Sequence, residues 1–214
     1  MALATLVTGV IVASYGLFEA RPAQQRAERE AAAAEQVSDF LKELFEGSDP
    51  SEALGETITA RNLLDRGRQR IAEILADEPA VRARLTATLG EVYASLGERD
   101  LGIELLEEAV DLGQEHLEPT DPALGDMLYE LGLRYSLSGR MTRAEGPLRQ
   151  ALVIQEQAHG RESRQVANTL NRLSYFLASK GRFEESVPLG VEALEISEAL
   201  LAPDDPKLAD VNGI

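Results

Sequence analysis

The sequence predicts an all-α, right-handed α-solenoid of stacked helix pairs, preceded by a transmembrane helix and a helical stalk. Three observations carry this. Leu89, Leu131 and Leu173 lie 42 residues apart, as do Gly97, Gly139 and Gly181, and Ala109, Ala151 and Ala193. A fixed period of that size marks an array in which each unit buries its apolar face against the next. The first 18 residues, MALATLVTGVIVASYGLF, carry no charged side chain, in a chain that is 27% charged. Between that segment and the array lies EARPAQQRAEREAAAAEQ, rich in helix formers and without an apolar stripe.

As a helix, residues 1–18 would span about 27 Å, against a hydrocarbon core of about 30 Å. The segment reads as a single-pass membrane helix. A signal peptide is the rival, but no basic region precedes the apolar run and Phe18-Glu19-Ala20 is a poor cleavage site. Arg21, Arg26 and Arg29 follow the segment, so the charge rule alone would hold the remainder in the cytoplasm. Residues 19–36 form the stalk. From Val37 the pattern turns amphipathic: Val37, Phe40, Leu41, Leu44 and Phe45 share one helical face, and Gly47-Ser48-Asp49-Pro50 ends it.

Helix resumes near Thr57 or Thr59, either able to cap it, with Leu63, Leu64, Ile71, Ile74 and Leu75 on its buried side. Leu64 lies 42 before Leu106, and Gly67 lies 42 before Ala109. Residues 37–78 therefore read as a degenerate leading helix pair. Three pairs follow over 79–206, with helices at about 80–96 and 99–117, 123–138 and 141–159, 165–180 and 183–201. Gly97, Gly139 and Gly181 end the first helix of each pair, where a left-handed residue costs least. Asp121-Pro122 and Asp205-Pro206 suit the start of the next pair, the acid as cap and the proline in the first turn. Gly102, Ala144 and Ser186 share one register, small enough to let the second helix lie close on the first. Residues 207–214 begin a fourth unit, which predicts that the chain belongs to a longer protein.

Composition narrows the partners. Lys+Arg is 21 against Asp+Glu 37, a formal net charge of -16. Without a cationic excess to displace counterions, nucleic acid is not an expected partner. The acidity serves either a solvated surface or an acidic groove for a basic partner. There is no Cys, so disulfides and thiolate metal sites are excluded, and His116 and His159 are not spaced as a zinc pair. No metal or cofactor is expected.

The repeats resemble tetratricopeptide repeats. Leu89-Gly90, Tyr93, Gly97, Gly102 and Ala109 carry the resemblance in the first unit. Leu131-Gly132, Tyr135, Gly139, Ala144 and Ala151 carry it in the second, and Leu173, Gly181, Ser186 and Ala193 in the third. A 42-residue spacing with joints such as LEPTDP and LAPDDP is similar to the kinesin-light-chain variety; the middle joint, HGRESR, departs from it by lacking proline. Residues 1–78 are similar to a region of bacterial membrane-anchored serine/threonine kinases, on the strings VSDFL, SDPSEA and TITARNLLDRG. That resemblance implies a kinase domain upstream, a single membrane span and an extracytoplasmic array, opposite to the charge rule.

No catalytic pattern accompanies the array. There is no Gly-rich phosphate loop, no HRD or DFG, and no G-x-S-x-G. Asp204-Asp205 and Glu107-Glu108 fall at a joint and on a helix face, and His159-Gly160-Arg161-Glu162 reads as a surface turn. What remains is a binding surface for a protein or peptide. The resemblance puts the first helix of each pair on the concave side, with Ala87 and Glu91, Tyr129 and Leu133, Asn171 and Tyr175 facing the groove, and Asn168 and Arg172 beside them. Two tyrosines with amide and guanidinium donors suit a peptide backbone or carboxylate. The expected function is a non-enzymatic interaction scaffold or sensor, membrane-anchored and part of a kinase-type receptor, with self-association through the array as a further expectation. The alternative is an independent secreted or periplasmic scaffold.

Overall fold

The computed structural model describes residues 60–201. The expected membrane helix at 1–18, the stalk at 19–36, the helix from Val37, the caps Thr57 and Thr59, and the fourth-unit segment at 207–214 lie outside the described residues, as does the Leu63 side chain. Among the described residues there are seven α-helices and no strand: α1 (Ala60–Ile74), α2 (Pro79–Ser95), α3 (Arg99–His116), α4 (Pro122–Leu137), α5 (Met141–His159), α6 (Arg164–Ser179) and α7 (Phe183–Leu200). None is long and apolar enough to cross a membrane. The chain divides at Gly67 into two units, and of the first only the opening turns of α1 are described. In the second unit α2 packs on α3, α4 on α5 and α6 on α7, and each pair packs on the next.

Two devices make each pair. The first is the turn. Gly97, Gly139 and Gly181 take φ of 94°, 79° and 74°. After α2, the Gly97 amide donates to Ala94 O at 3.2 Å and the Glu98 amide to Tyr93 O at 3.0 Å. After α6, Gly181 and Arg182 repeat the pattern onto Ala178 and Leu177. This Schellman closure satisfies carbonyls that the helix end would leave bare, and it reverses the chain within three residues.

The second device is a close helix crossing. A Cβ on Gly102 would sit 2.6 Å from the Gly90 carbonyl oxygen, and one on Gly132 would sit 2.6 Å from Leu148 Cγ. The fit is reciprocal along the register: Gly90 faces Leu106 and Gly132 faces Leu148, while the third pair reverses the sizes, Ser174 facing Gly190. There Ser174 Oγ donates to Ser186 O at 2.9 Å and Ser186 Oγ to Ser174 O at 2.8 Å. Around the crossings lie Tyr93, Leu106, Ala109, Leu148, Ala151, Leu173 and Leu177, all fully buried. Each large side chain among them stabilises the fold by about 1.5–3 kcal/mol.

The joints between pairs are more polar. Asp121 caps α4, accepting from the Ala123 amide at 2.9 Å, with Pro122 in the first turn. The middle joint solves its missing proline with Ser163, whose hydroxyl accepts from the Val166 amide at 3.4 Å. Second helices are laced by ion pairs to the unit that follows: Asp100 to Arg140 at 2.6 Å, Glu107 to Arg143 at 3.0 Å and Glu145 to Arg182 at 2.7 Å. Such exposed pairs are individually weak, and together they disfavour other registers of one unit on the next. Ile71 of α1 and Leu75, in the turn just after it, are buried, but Ile74 is 51% exposed, against expectation. Residues four apart share a face and Ile74 lies to one side of it, so the buried stripe is narrower than the apolar run.

The crossing yields a clear test. Alanine is the better helix former, yet Gly102→Ala places its methyl against backbone that cannot yield. Urea denaturation of the variant will show a loss of about 1–3 kcal/mol; equal or greater stability would show that the crossing can open.

Candidate functional site

The first helices of successive pairs lie side by side, and a cleft of about 250 Å³ opens along them. Glu91 of α2, Asp126, Tyr129 and Glu130 of α4, Gln155 of α5, and Gln165 and Asn168 of α6 line it. Three carboxylates face this space and no cationic side chain lines it.

A buried polar chain sets its floor. Gln155 and Thr169 are 1% and 0% exposed. Thr169 Oγ1 donates to Gln155 Oε1 at 2.6 Å, and Gln155 Nε2 donates to Asp126 Oδ1 at 3.3 Å. The amide thus fixes Asp126 toward the cleft while joining α4, α5 and α6. At the equivalent register one unit earlier the contact is apolar, Gly113 against Leu124 and Met127. On the next turn of α4, Glu130 lies 3.1 Å from Arg134, yet Glu130 Oε2 and Arg134 Nε are buried without a hydrogen-bond partner.

The electrostatics follow from this crowding. Burial pushes the Glu91 carboxyl above the ordinary carboxylate range; the Glu130 charge adds to the rise and Arg134 opposes it. Burial also raises Asp126, against the hydrogen bond from Gln155. Glu91 and Glu130 are half-buried and Asp126 is exposed, and three carboxylates converging in this way favour a positively charged or hydrogen-donating occupant. Tyr129 packs partly into the core and offers its remaining face, while Gln165 and Asn168 offer amides able to pair with a peptide backbone.

Of the residues expected to form the groove, Tyr129, Asn168 and Glu91 line this cleft. Leu133, Asn171, Arg172 and Tyr175 do not. Leu133 is half-buried, Asn171 is exposed, Tyr175 is 63% exposed, and Arg172 is half-buried with its Nε unpartnered. Ala87 is only 5% exposed, correcting its expected place in the groove: it faces the core with Ala83. The expected register, two residues before and after the repeating leucine, supplies Tyr129 and Glu91, and the lining adds the position five before it, Asp126 with Asn168, and Glu130 one before it. Asp126, Glu130, Gln155 and Gln165 were missed. The 42-residue pairing of Asp126 with Asn168 was the available signal. Glu107 and Glu108 are engaged structurally: Glu107 accepts a hydrogen bond from Tyr135 and pairs with Arg143, and Glu108 pairs with Arg82 at 2.7 Å. Among the described residues no group of three His, Asp or Glu side chains is placed to hold a metal ion.

Residues 81–157 and 166–207 each match a family model described as tetratricopeptide repeat. Among solved structures, BtubC (BKLC) from P. vanneervenii is 20% identical, with a TM-score of 0.63 over 81% of this chain and 74% of that one. A Podosopora anserina candidate kinesin light chain with nearly identical TPR-like repeats is 22% identical, with a TM-score of 0.60 over 81% and 78% of the two chains. At these identities the likeness is one of fold. No curated protein matches the sequence.

The raised carboxyls carry a pH signature. Folding favours the protonated forms of Glu91 and Asp126, so their contribution is present below the ordinary carboxylate range and lost as pH rises through the raised values. Glu91→Gln, neutral throughout, will therefore raise the melting temperature at pH 7 by about 1–3 °C, and the gain will vanish near pH 4. Circular dichroism melts at both pH values check this; an equal shift at each would assign the gain to something other than ionisation.

Proposed function

From a chain that carries tetratricopeptide repeats, we propose a non-enzymatic protein-binding module whose cleft between α2, α4 and α6 takes a partner segment bearing a lysine or arginine side chain. The observation that carries this reading is the lining: Glu91, Asp126 and Glu130 converge on one space, two of them held above their ordinary range, and no cationic side chain lines it, while Arg134 beside it pairs with Glu130. A guanidinium or ammonium would supply that charge, Tyr129 would flank its stem, and Gln165 and Asn168 would pair with the backbone on either side. The acidic composition favours the same class of partner by steering it toward the surface.

The setting we propose for the module is a membrane. The uncharged run at 1–18, the Ala/Glu/Arg stalk and the VSDFL and TITARNLLDRG strings support a single-pass anchor of a kinase-type signalling receptor with its array outside the cytoplasm. The same apolar run as a cleaved signal peptide would give a secreted or periplasmic scaffold. Intact-mass measurement of carbonate-washed membranes separates them. A full-length product retained in the membrane pellet is expected, and a shortened, released one would overturn the anchor.

Binding is tested with the full chain in detergent on an array of random peptides. Retained peptides will be enriched in Lys or Arg, and the Glu91→Gln, Glu130→Gln double variant will lose about tenfold or more in affinity. Raising the salt will weaken wild-type binding in the same direction. Enrichment of acidic peptides, or unchanged binding by the double variant, would sink the proposal.

A further inference from the structure

Beyond the cleft, α6 carries a charge that nothing around it answers. Asn168, Asn171, Arg172 and Tyr175 stand at i, i+3, i+4 and i+7, so they share one side of the helix. Val166, Leu170, Leu173 and Leu177, on the opposite side, are buried. Asn168 lines the cleft. Arg172 lies one turn further along, about 6 Å away. Asn171 is exposed, Tyr175 is 63% exposed and Arg172 is half-buried.

The 42-residue register shows how this face departs from the one before it. Where α4 has Asp126 and Glu130, α6 has Asn168 and Arg172. One carboxylate becomes its amide and the other gives way to a guanidinium, so the sign of the face changes from one pair to the next. On α4 the charge is answered within the helix, since Arg134 pairs with Glu130 at 3.1 Å. The residues three and four away from Arg172 are Asn168, Thr169, Tyr175 and Phe176, and none is acidic. Arg82, Arg84 and Arg134, half-buried as Arg172 is, each pair with a carboxylate. Among the described residues no acid pairs with Arg172, and its Nε is enclosed without an acceptor. This stands out in a chain with 37 acidic residues to 21 basic. Enclosed donors without acceptors are costly, so a charge kept in this state is one that a ligand can complete. The register also stays open inside an array: α4 has a first helix on either side, and Glu130 is still only half-buried.

We propose that Arg172, flanked by Asn171 and Tyr175, is a second subsite that takes a carboxylate of the partner segment, so that the groove reads a pair of opposite charges. The inference rests on the proposed function for the cation in the cleft. A planar guanidinium takes a carboxylate through two parallel N–H donors. Asn171 adds an amide donor, and the exposed ring of Tyr175 covers the apolar stem that carries the acid. In an extended segment, side chains two residues apart face the same way at a separation of about 6.6 Å, close to the turn between Asn168 and Arg172. The segment is therefore a basic residue and an acidic one with a single residue between them. Such a pair has no net charge, so the chain's -16 does not repel it as it would a purely acidic segment.

The test uses the full chain in detergent and acetylated, amidated peptides with identical neutral flanks around Lys-Ala-Glu, Lys-Ala-Gln, Gln-Ala-Glu or Lys-Ala-Lys. Anisotropy titrations will show Lys-Ala-Glu bound about fivefold or more tighter than Lys-Ala-Gln. Arg172→Gln will bind these two equally while still preferring Lys-Ala-Glu to Gln-Ala-Glu. Arg172→Glu will reverse the preference and favour Lys-Ala-Lys. The Glu91→Gln, Glu130→Gln variant will do the converse of Arg172→Gln, losing the preference for Lys and keeping that for Glu. A peptide ending in Lys-Ala-Gly with a free carboxylate separates the two sources of the acid: tighter binding than Lys-Ala-Glu assigns the subsite to a chain terminus, weaker binding to a side chain. Melting of each variant is followed alongside, since a purely structural arginine would move stability and leave the peptide preferences as they were. Equal binding of Lys-Ala-Glu and Lys-Ala-Gln by wild type, or a preference that survives Arg172→Gln, would overturn the subsite. Equal binding of Lys-Ala-Glu and Gln-Ala-Glu by wild type would instead overturn the cation in the cleft, and no binding of any peptide would overturn both.

Discussion

The close approach of the two helices in each pair is the constraint from which the rest of the structure follows. At Gly102 the neighbouring backbone lies where a methyl group would be, and at Gly132 a leucine does. That proximity brings Leu106 and Leu148 into full burial and fixes the face each helix turns inward. The outward faces are then determined as well, including those that line the cleft. The third pair reaches the same separation differently, by exchanging which helix carries the small residue and by crossing two serine hydroxyls onto opposing carbonyls. A crossing that survives two chemistries is a requirement of the fold and not of one residue type.

Contacts within pairs and between pairs are of different kinds. Inside a pair the contact is dense and mostly apolar, with the Arg82–Glu108 ion pair added in the first. Between pairs, apolar contact is supplemented by exposed ion pairs such as Asp100 with Arg140 and Glu145 with Arg182. Each is weak, but a ladder of them disfavours slippage of one unit along another, since a shifted unit would set like charges together. Tyr135 belongs to this ladder. Its hydroxyl donates to Glu107 and its ring lies 4.6 Å beneath the Arg143 guanidinium, so one buried side chain ties three elements.

The fold was legible because a period is a redundant signal. Leucine, glycine and alanine at fixed intervals place the turns and the core within a residue or two, and a departure such as Ser174 in place of glycine does not hide the register. The middle joint lacks the proline of the other joints, and Ser163 caps the following helix without it. The site was less legible. A groove depends on which side of each first helix the neighbouring pair leaves open, and that is set by the rotation between pairs, which no single sequence period encodes. Reading two residues either side of the repeating leucine found Glu91 and Tyr129 but set Ala87 in the groove and pointed to Tyr175, which stands away from the cleft. Gln155 was invisible because a polar residue at a helix end ordinarily meets solvent, and only the packing of α6 encloses it.

That enclosed glutamine links two properties of the array. Its amide nitrogen holds Asp126, and its oxygen receives Thr169 from the following pair. The carboxylate that lines the cleft is thereby also one end of a hydrogen-bonded bridge between neighbouring pairs. On the proposed function, a cation arriving at Asp126 would compete with the glutamine for the same oxygens and weaken that bridge. By reciprocity, a change in the packing of the two pairs would then alter the hold on the cation. The array would in this respect be a flexural element, its bend and its occupancy thermodynamically coupled through a single side chain.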